Sequence, residues 1–222
     1  MRLQVYPTRG ALMQGLADVI ASELRVALQS RRATLSVPGG TTPGPVFDLL
    51  AQADLDWPRV AVLLNDERWV GEDSPRSNTR LLRERLLVGP AARARLLPLY
   101  APLFEPEEAM AVLGQGIAPF LPISVLVLGM GADMHTASLF PGADHLADAL
   151  APDAPVLMAL RACAAGEPRI TLTARVLQAA KHIHVLITGP DKRAALERAL
   201  HLTPLEAPIR VVLDQATVHW AE

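Results

Sequence analysis

Short apolar segments alternate with longer amphipathic segments along the chain, and this alternation restricts the fold more than any other feature of the sequence. The apolar segments have the length and composition of buried strands and predict strands at residues 3–6, 34–37, 60–64, 124–129, 155–160, 182–189 and 209–214. The longer segments carry apolar residues three and four positions apart and predict helices at residues 8–30, 44–53, 78–87, 106–117, 174–181 and 191–200. Strands that are apolar on both faces need cover on both. We therefore expect an α/β fold, in which helices lie on both faces of a mostly parallel sheet.

The size and charge of the chain fit one globular domain without a nucleic-acid partner. The chain has 222 residues, half of them apolar, and no repeat or low-complexity linker divides it, so we expect a single domain over residues 1–222. The formal net charge is −2, and no stretch combines basic residues with aromatic ones. This pattern argues against nucleic acid or an anionic membrane as a partner.

The sequence also predicts a soluble, cytoplasmic protein. The N-terminal segment lacks the continuous apolar core of a signal peptide, and no apolar run approaches the roughly 20 residues that span a bilayer. The single cysteine, Cys163, excludes an internal disulfide and a cysteine-rich metal site.

Polar motifs follow four of the predicted strands. Ligands of open parallel sheets bind beyond the carboxyl ends of the strands. Loops that served turn geometry alone would contain Gly, Pro and Asn, whereas these loops repeatedly carry Asp, Glu, Arg, His and Lys. We therefore expect a binding site built from the loops at residues 38–45, 65–78, 130–142 and 190–196.

The loop "PGGTTPGP" has the composition of an anion cradle. Consecutive glycines let backbone N–H groups turn towards one point, the threonine hydroxyls add donors, and the following helix contributes the positive end of its dipole. The Gly-Lys-Ser/Thr ending of a Walker A loop is absent. A plain strand–turn–helix connection is the alternative. The candidate residues are Gly39, Gly40, Thr41 and Thr42.

The segment "GMGADMHTASLFPG" places an acid, Asp133, two residues before an imidazole, His135. A carboxylate can orient an imidazole and raise its basicity, and histidine titrates close to physiological pH, so His135 is a candidate general base. Alternatively, His135 caps a helix that begins near Thr136. Two ligands are too few for a metal site, and His145 has no matching partner motif, so we expect no metal.

Other polar residues have simpler interpretations beside the functional ones. Asp66, Glu67 and Arg68 follow a strand in "NDERW", where they form either part of the site or a solvated ion-pair network. "SN" at residues 77–78 predicts the N-cap of the next helix. His182 and His184 alternate along one strand and are interpreted as structural, and His201 and His219 receive no role.

Taken together, these motifs resemble those of the 6-phosphogluconolactonase family, in the same order and over nearly the whole chain. The eight-residue block from His135 to Gly142 is highly specific, whereas "GGTTP" alone would be weak. The motifs that carry the resemblance are "GGTTP" (39–43), "DER" (66–68) with "SN" (77–78), "GMGADMHTASLFPG" (129–142), "RITLT" (169–173) and "TGPDK" (188–192).

The resemblance implies a Rossmann-like three-layer α/β/α fold, shared with glucosamine-6-phosphate deaminases and ribose-5-phosphate isomerases. It implies cofactor-free hydrolysis of a sugar-phosphate lactone, 6-phosphogluconolactone, in the pentose phosphate pathway. His135 corresponds to the general base, with Asp133 holding its ring. Arg169 and Lys192 correspond to phosphate-binding positions. Lys192 is also one of only two lysines and opens a helix after a Thr-Gly turn.

At the sugar end of the site, the resemblance places Arg68 and Asp66. Arg68 or backbone N–H groups would meet the charge that develops on the carbonyl oxygen. Ser138 has no evident adjacent base, so we expect no seryl nucleophile.

Two residues depart from the family pattern. Thr41 replaces the usual serine and keeps the hydroxyl, and Met134 replaces the glycine between the acid and the histidine. We expect Met134 to have ordinary backbone angles, because a side chain with positive φ would be strained.

Two other functions fit the same fold. A sugar-phosphate deaminase or isomerase would use the same phosphate loop, but the "TASLFPG" continuation argues against it. A sugar-phosphate sensor domain would need a DNA-binding segment, and the chain begins almost directly with its first strand. The sequence leaves a monomer and a small homo-oligomer equally open.

Overall fold

The computed structural model describes residues 1–163 and 165–222 of the chain. Its strands are β1 (Arg2–Val5), β2 (Ala33–Val37), β3 (Val60–Leu64), β4 (Asp66–Arg68), β5 (Arg95–Leu97), β6 (Val125–Gly129), β7 (Leu157–Leu160), β8 (Arg169–Leu172), β9 (His182–Thr188) and β10 (Thr217–Ala221). Its α-helices are α1 (Arg9–Leu28), α2 (Gly44–Ala51), α3 (Asn78–Arg85), α4 (Pro106–Ile117), α5 (Leu146–Leu150), α6 (Ala174–Gln178), α7 (Pro190–Ala199) and α8 (Arg210–Leu213).

A parallel sheet forms the centre of the molecule. Over the described residues its strand order is β1-β10-β9-β6-β2-β3-β5, and every neighbouring pair is parallel. Every residue of β2 and β3 is buried, as expected for strands that are covered on both faces. The predicted α/β fold with a mostly parallel sheet is confirmed.

The chain winds across this sheet in two directions. From β2 it moves through β3 to β5, and from β6 it moves the opposite way through β9 to β10. Right-handed crossovers then put α1, α2 and α3 on one face and the later helices on the other. Packing of α1 on α2, of α2 on α3, and of α6 on α8 agrees with this division.

The direction of winding reverses between β2 and β6, which pair directly. In open α/β sheets the crevice for a ligand lies at such a reversal, beyond the carboxyl ends of the strands. The fold therefore puts the loops after β2 and β6 on either side of this crevice.

A smaller antiparallel sheet, in the order β4-β8-β7, stands beside the parallel one. Its register pairs Arg68 directly with Arg169, and Asp66 with Thr171. The segment 155–160, predicted as a strand of the main sheet, supplies β7 of this smaller sheet instead. "RITLT", which carried no strand prediction, forms β8.

The C-terminal strand prediction was wrong. Within residues 209–214 the chain forms α8 (Arg210–Leu213), because Val212 and Leu213 bury their side chains in the core from a helix that packs on α6. A short apolar run does not by itself distinguish a strand from a buried helix. The last strand of the chain comes later, as β10, and its histidine, His219, is buried.

His219 belongs to a hydrogen-bonded chain of polar side chains inside the protein. Tyr6 Oη lies 2.8 Å from His219 Nδ1, His219 Nε2 lies 3.0 Å from His184 Nδ1, and His184 Nε2 lies 2.7 Å from Glu23. His182, on the same face of β9, contacts the other oxygen of Glu23 at 3.2 Å. The structural interpretation of His182 and His184 agrees with these contacts.

Candidate active site

A cavity of about 370 Å³ lies at the carboxyl edge of the parallel sheet. All four loops predicted from the sequence contribute to its wall. Thr41 and Asp133 are exposed beside it and do not line it. The predicted site residues that line the cavity are Gly39, Gly40, Thr42, Asp66, Arg68, His135, Arg169 and Lys192.

Asp133 and His135 form the expected pair. Asp133 Oδ1 lies 2.6 Å from His135 Nδ1 and accepts a longer bond, 3.3 Å, from the backbone N–H of His135. Burial raises the pKa of Asp133, but the charge and hydrogen bonds of His135 outweigh burial, so the pKa lies below its usual value. An ionised Asp133 accepts the proton on Nδ1, which leaves Nε2 as the basic nitrogen of the ring.

Gly131 makes room for this pair. A Cβ atom at position 131 would lie 2.1 Å from His135 Nδ1 and 2.2 Å from Asp133 Oδ1. The backbone of Gly131 also closes the turn, since its N–H donates to the carbonyl of His135 at 2.9 Å. A larger residue at 131 would displace the acid, the imidazole or both.

The backbone of Met134 contradicts the expectation of ordinary angles. Its φ is +66°, in the left-handed region that favours glycine. Two hydrogen bonds hold it there: its N–H donates to Gly131 O at 3.0 Å, and its carbonyl accepts from Ile209 N–H at 3.1 Å. The turn thus imposes a conformation that the methionine side chain disfavours.

The residues after His135 form a tight turn and not the helix proposed as an alternative. Thr136 and Leu139 pair across this turn, and Ala137 has a φ of +48°. The turn brings the ring of Phe140 against the imidazole of His135, with ring centroids 4.3 Å apart. His135 is therefore supported by Phe140 on one face and held by Asp133 at one edge.

Arg68 and Arg169 present two guanidinium groups side by side, because their strands pair at these residues. In both, Nε is buried and has no hydrogen-bond partner within residues 1–163 and 165–222. Burial lowers the pKa of Arg169, while Asp66, 3.7 Å away, acts in the opposite direction. Buried donors without partners are costly, and an anion in the cavity would satisfy them.

Asp66 is held from the loop that carries His135. The hydroxyl of Ser138 donates to Asp66 Oδ2 at 2.5 Å, and both residues are buried. The sequence reasoning missed this contact, since 72 positions separate the two residues. Ser138 holds the carboxylate of Asp66 and does not line the cavity.

The environment of Glu67 contradicts the alternative in which it belongs to a solvated ion-pair network. It is fully buried, and its carboxylate accepts hydrogen bonds from the N–H groups of Asn78 and Thr79 at 2.8 and 2.7 Å. The hydroxyls of Ser77 and Thr79 donate to it as well. Glu67 therefore anchors the positive end of α3, whose predicted N-cap, Ser77, is confirmed.

The loop after β2 approaches this anchored helix closely. A Cβ at Gly39 would lie 2.0 Å from Asn78 Oδ1, and Gly40 has a φ of +84°, so glycine is required at both positions for different reasons. The amide of Asn78 donates to the carbonyl of Asp66 at 3.1 Å. The helix after the loop begins at Gly44, as expected.

Lys192, in the first turn of α7, closes the other side of the cavity. Its Nζ donates to the carbonyl of Met130 at 2.5 Å. Burial lowers its pKa, and the charge of Asp133 partly offsets this effect. The other lysine, Lys181, is exposed.

Neither a metal cluster nor a membrane span is found in the part of the chain that the structure describes. No three His, Cys, Asp or Glu side chains among those residues are grouped as metal ligands would be. None of the helices there is long and apolar enough to cross a bilayer.

Comparisons with known proteins show which family the chain is similar to. The model of the family described as glucosamine-6-phosphate isomerases/6-phosphogluconolactonase matches residues 7–220. The 6-phosphogluconolactonase of Rhizobium meliloti is 40% identical, with 99% of this chain and 98% of the relative covered. That of Pseudomonas aeruginosa is also 40% identical, with 98% and 94% covered.

Solved structures give the same result. A crystal structure of a 6-phosphogluconolactonase from Shewanella baltica superposes with a TM-score of 0.97 at 35% identity, over 100% of this chain and 98% of the other. A monomeric glucosamine-6-phosphate deaminase superposes with a TM-score of 0.81 at 17% identity, over 99% and 97% of the two chains. The second likeness concerns the fold alone.

Proposed function

Because the chain belongs to the family of glucosamine-6-phosphate isomerases and 6-phosphogluconolactonases, we propose that it hydrolyses 6-phospho-D-glucono-1,5-lactone to 6-phosphogluconate, a step of the pentose phosphate pathway, with a water molecule activated by His135. The observation that carries the mechanism is the Asp133–His135 pair, with a separation of 2.6 Å and Nε2 left as the base. A δ-lactone is an activated ester, so an oriented water and charge stabilisation are enough for its hydrolysis.

The reaction runs in two steps. His135 Nε2 takes a proton from the water as its oxygen attacks the lactone carbonyl, and the carbonyl oxygen becomes an oxyanion. Arg68, whose Nε is buried without a partner among the described residues, donates to that oxyanion. The bond between the carbonyl carbon and the ring oxygen then breaks, and the proton on His135 passes to the ring oxygen. The resulting carboxylic acid releases its proton to solvent and becomes the carboxylate product.

The phosphate end of the substrate is held by Lys192, Arg169 and the glycine loop. A phosphate monoester carries up to two negative charges. A site with two cations and converging N–H groups therefore suits a phosphate far better than a neutral sugar. A cation in the first turn of a helix opposes the helix dipole, so Lys192 has a position that an anionic ligand would favour.

The test is acid release from freshly prepared 6-phosphogluconolactone, measured above the spontaneous rate. Removing one charge-assisted contact costs on the order of 1.5–3 kcal/mol. We therefore expect Lys192→Ala to lower kcat/KM for the phosphorylated lactone by roughly tenfold or more, with little change for unphosphorylated gluconolactone. The matched control is Lys181→Ala, which removes the other, exposed lysine. Equal losses of Lys192→Ala on both substrates would withdraw the phosphate assignment, and no acid release by the unsubstituted chain would withdraw the activity.

We also propose that the enzyme acts in the cytoplasm, without a metal ion, organic cofactor or nucleic acid, as a monomer or a small homo-oligomer. A phosphorylated lactone is charged and stays in the compartment where it is made, which supports the cytoplasm.

A further inference from the structure

A second cavity, of about 570 Å³, opens at the edge of the parallel sheet opposite to the active site. Its wall includes the residues that precede or begin β2, β3 and β5, three strands that pair in parallel and so start at the same edge. We call this cavity the arginine cleft. Its charged and aromatic residues are Arg31, Arg32, Arg59, Arg95 and Phe120.

The charge in the arginine cleft is almost unopposed. The chain as a whole has 21 basic and 23 acidic residues, yet four arginines meet here. Among the residues described, the only carboxylate within ion-pair distance of these four is Asp56, 3.5 Å from Arg59, and both side chains of that pair are about half exposed. All four arginines are exposed, so solvent screens part of their mutual repulsion, and an anion bound among them would remove the rest.

Two of the guanidinium groups lie close to one aromatic ring. The Cζ atom of Arg32 lies 4.6 Å from the centre of the Phe120 ring, and that of Arg95 lies 4.8 Å from it. Contact with a ring leaves N–H groups of a guanidinium open to other acceptors. Arg95 has no hydrogen-bond acceptor within the described part of the chain, and Arg32 uses one donor, on the carbonyl of Pro119.

The third group is fixed in another way. Arg59 donates through Nε to the carbonyl of Arg31 and through Nη2 to those of Leu28 and Ser30, just after the end of α1, so only its Nη1 group is left for a ligand. These bonds fix its side chain at the wall of the cleft. Much of the side-chain entropy that anion binding would cost has therefore already been lost on folding.

We propose that the arginine cleft binds a small molecule with at least two phosphoryl groups, such as a pyrophosphate or a bisphosphorylated metabolite. Guanidinium groups match phosphate oxygens in bidentate geometry, and three of them, with the remaining Nη1 group of Arg59, exceed what one phosphate needs. The cleft is also larger than the active-site cavity, about 570 against about 370 Å³, so two phosphoryl groups fit without contact with the catalytic residues.

Isothermal titration with inorganic pyrophosphate, at constant ionic strength, tests the proposal. The active site is itself expected to bind phosphate, so each measurement is made in the unsubstituted chain and in the Lys192→Ala background. The cleft variant is the double substitution Arg31→Ala and Arg95→Ala. Its control, Arg25→Ala with Arg198→Ala, removes the same charge from exposed positions on α1 and α7.

We expect the cleft variant to raise the Kd for pyrophosphate at least tenfold in both backgrounds, since each lost charged contact is worth about that factor. The control should change the Kd less than about twofold. Lactone hydrolysis by the cleft variant should stay within about twofold of the unsubstituted chain, because the cleft lies at the opposite edge of the sheet. Equal weakening in cleft variant and control, loss of binding with Lys192→Ala alone, or no binding by the unsubstituted chain would each overturn the proposal.

Discussion

Met134 supplies the most direct test of how the catalytic turn is built. Its φ of +66° lies in a region where an L-residue costs roughly 1–2 kcal/mol more than glycine. Glycine at this position would remove that strain, but it would also lose the half-buried methionine side chain, which packs against the core. The strain therefore has to be separated from the packing.

Comparison of Met134→Ala with Met134→Gly makes this separation, since both variants lose the side chain beyond Cβ. From alanine to glycine, the relief of strain, about 1.5 kcal/mol, is opposed by the added freedom of the unfolded chain, about 0.75 kcal/mol. We expect the glycine variant to be more stable than the alanine variant by about 0.5–1 kcal/mol. That difference corresponds to roughly 1–4 °C in Tm for a domain of this size.

The control is Ala132→Gly, at an exposed neighbour in the same loop that is not among the residues with positive φ. There the same exchange should destabilise by about 0.5–1 kcal/mol. Urea unfolding with a constant m-value gives both differences. If alanine to glycine destabilised position 134 as it does position 132, the left-handed turn would not exist, and the account of how His135 is placed would fail with it.

Four further predictions follow from the site and the core. His135→Asn should lower kcat by about 10²–10⁴ while the protein stays folded, and near-normal turnover would remove His135 from the mechanism. Gly131→Ala should lower kcat by about 10², because the new Cβ displaces the imidazole, whereas Gly116→Ala, on α4 outside the cavity, where a Cβ meets no atom within 4 Å, should not. Exhaustive chelation should leave activity unchanged; inactivation that one divalent ion reverses would contradict this. Burial, with smaller effects of its charged neighbours, lowers the pKa of His219 to about 4. The unfolded chain therefore binds more protons between pH ~6.5 and ~4, and the free energy of unfolding should fall by up to about 3 kcal/mol as the pH drops through that range. His219→Gln should flatten this pH dependence, and exposed His201→Gln should not; equal slopes in both variants would refute the assignment.

What the sequence could predict depended on how local each feature is. Asp133 and His135 lie two positions apart, and the strand before them is a continuous apolar run, so both features could be predicted directly from the sequence. The pairing of Arg68 with Arg169 could not, because it joins β4 and β8, strands of three and four residues that lie about a hundred positions apart. Only the family resemblance related these two arginines to one site.

Two predictions failed where tertiary contacts decided the conformation. A methionine at 134 argues for ordinary angles, but hydrogen bonds to Gly131 and Ile209 impose the left-handed turn. The run at 209–214 has the composition of a strand, yet it packs as α8. His219 was left without a role because its partners, Tyr6 and His184, lie far away in the sequence.

The antiparallel pairing of β4 with β8 also sets the order in which the enzyme can mature during synthesis. The ribosome releases Arg68 about a hundred residues before Arg169, so an emerging chain can fold the first strands of the parallel sheet while half of the anion-binding pair is still missing. The loop between β4 and β8 closes late in folding, because the chain loses conformational entropy on closure before the contacts between the two strands stabilise it. Nascent chains that stop before β8 lack Arg169 and should be unable to bind the substrate, and catalytic competence should appear only with the last quarter of the polypeptide.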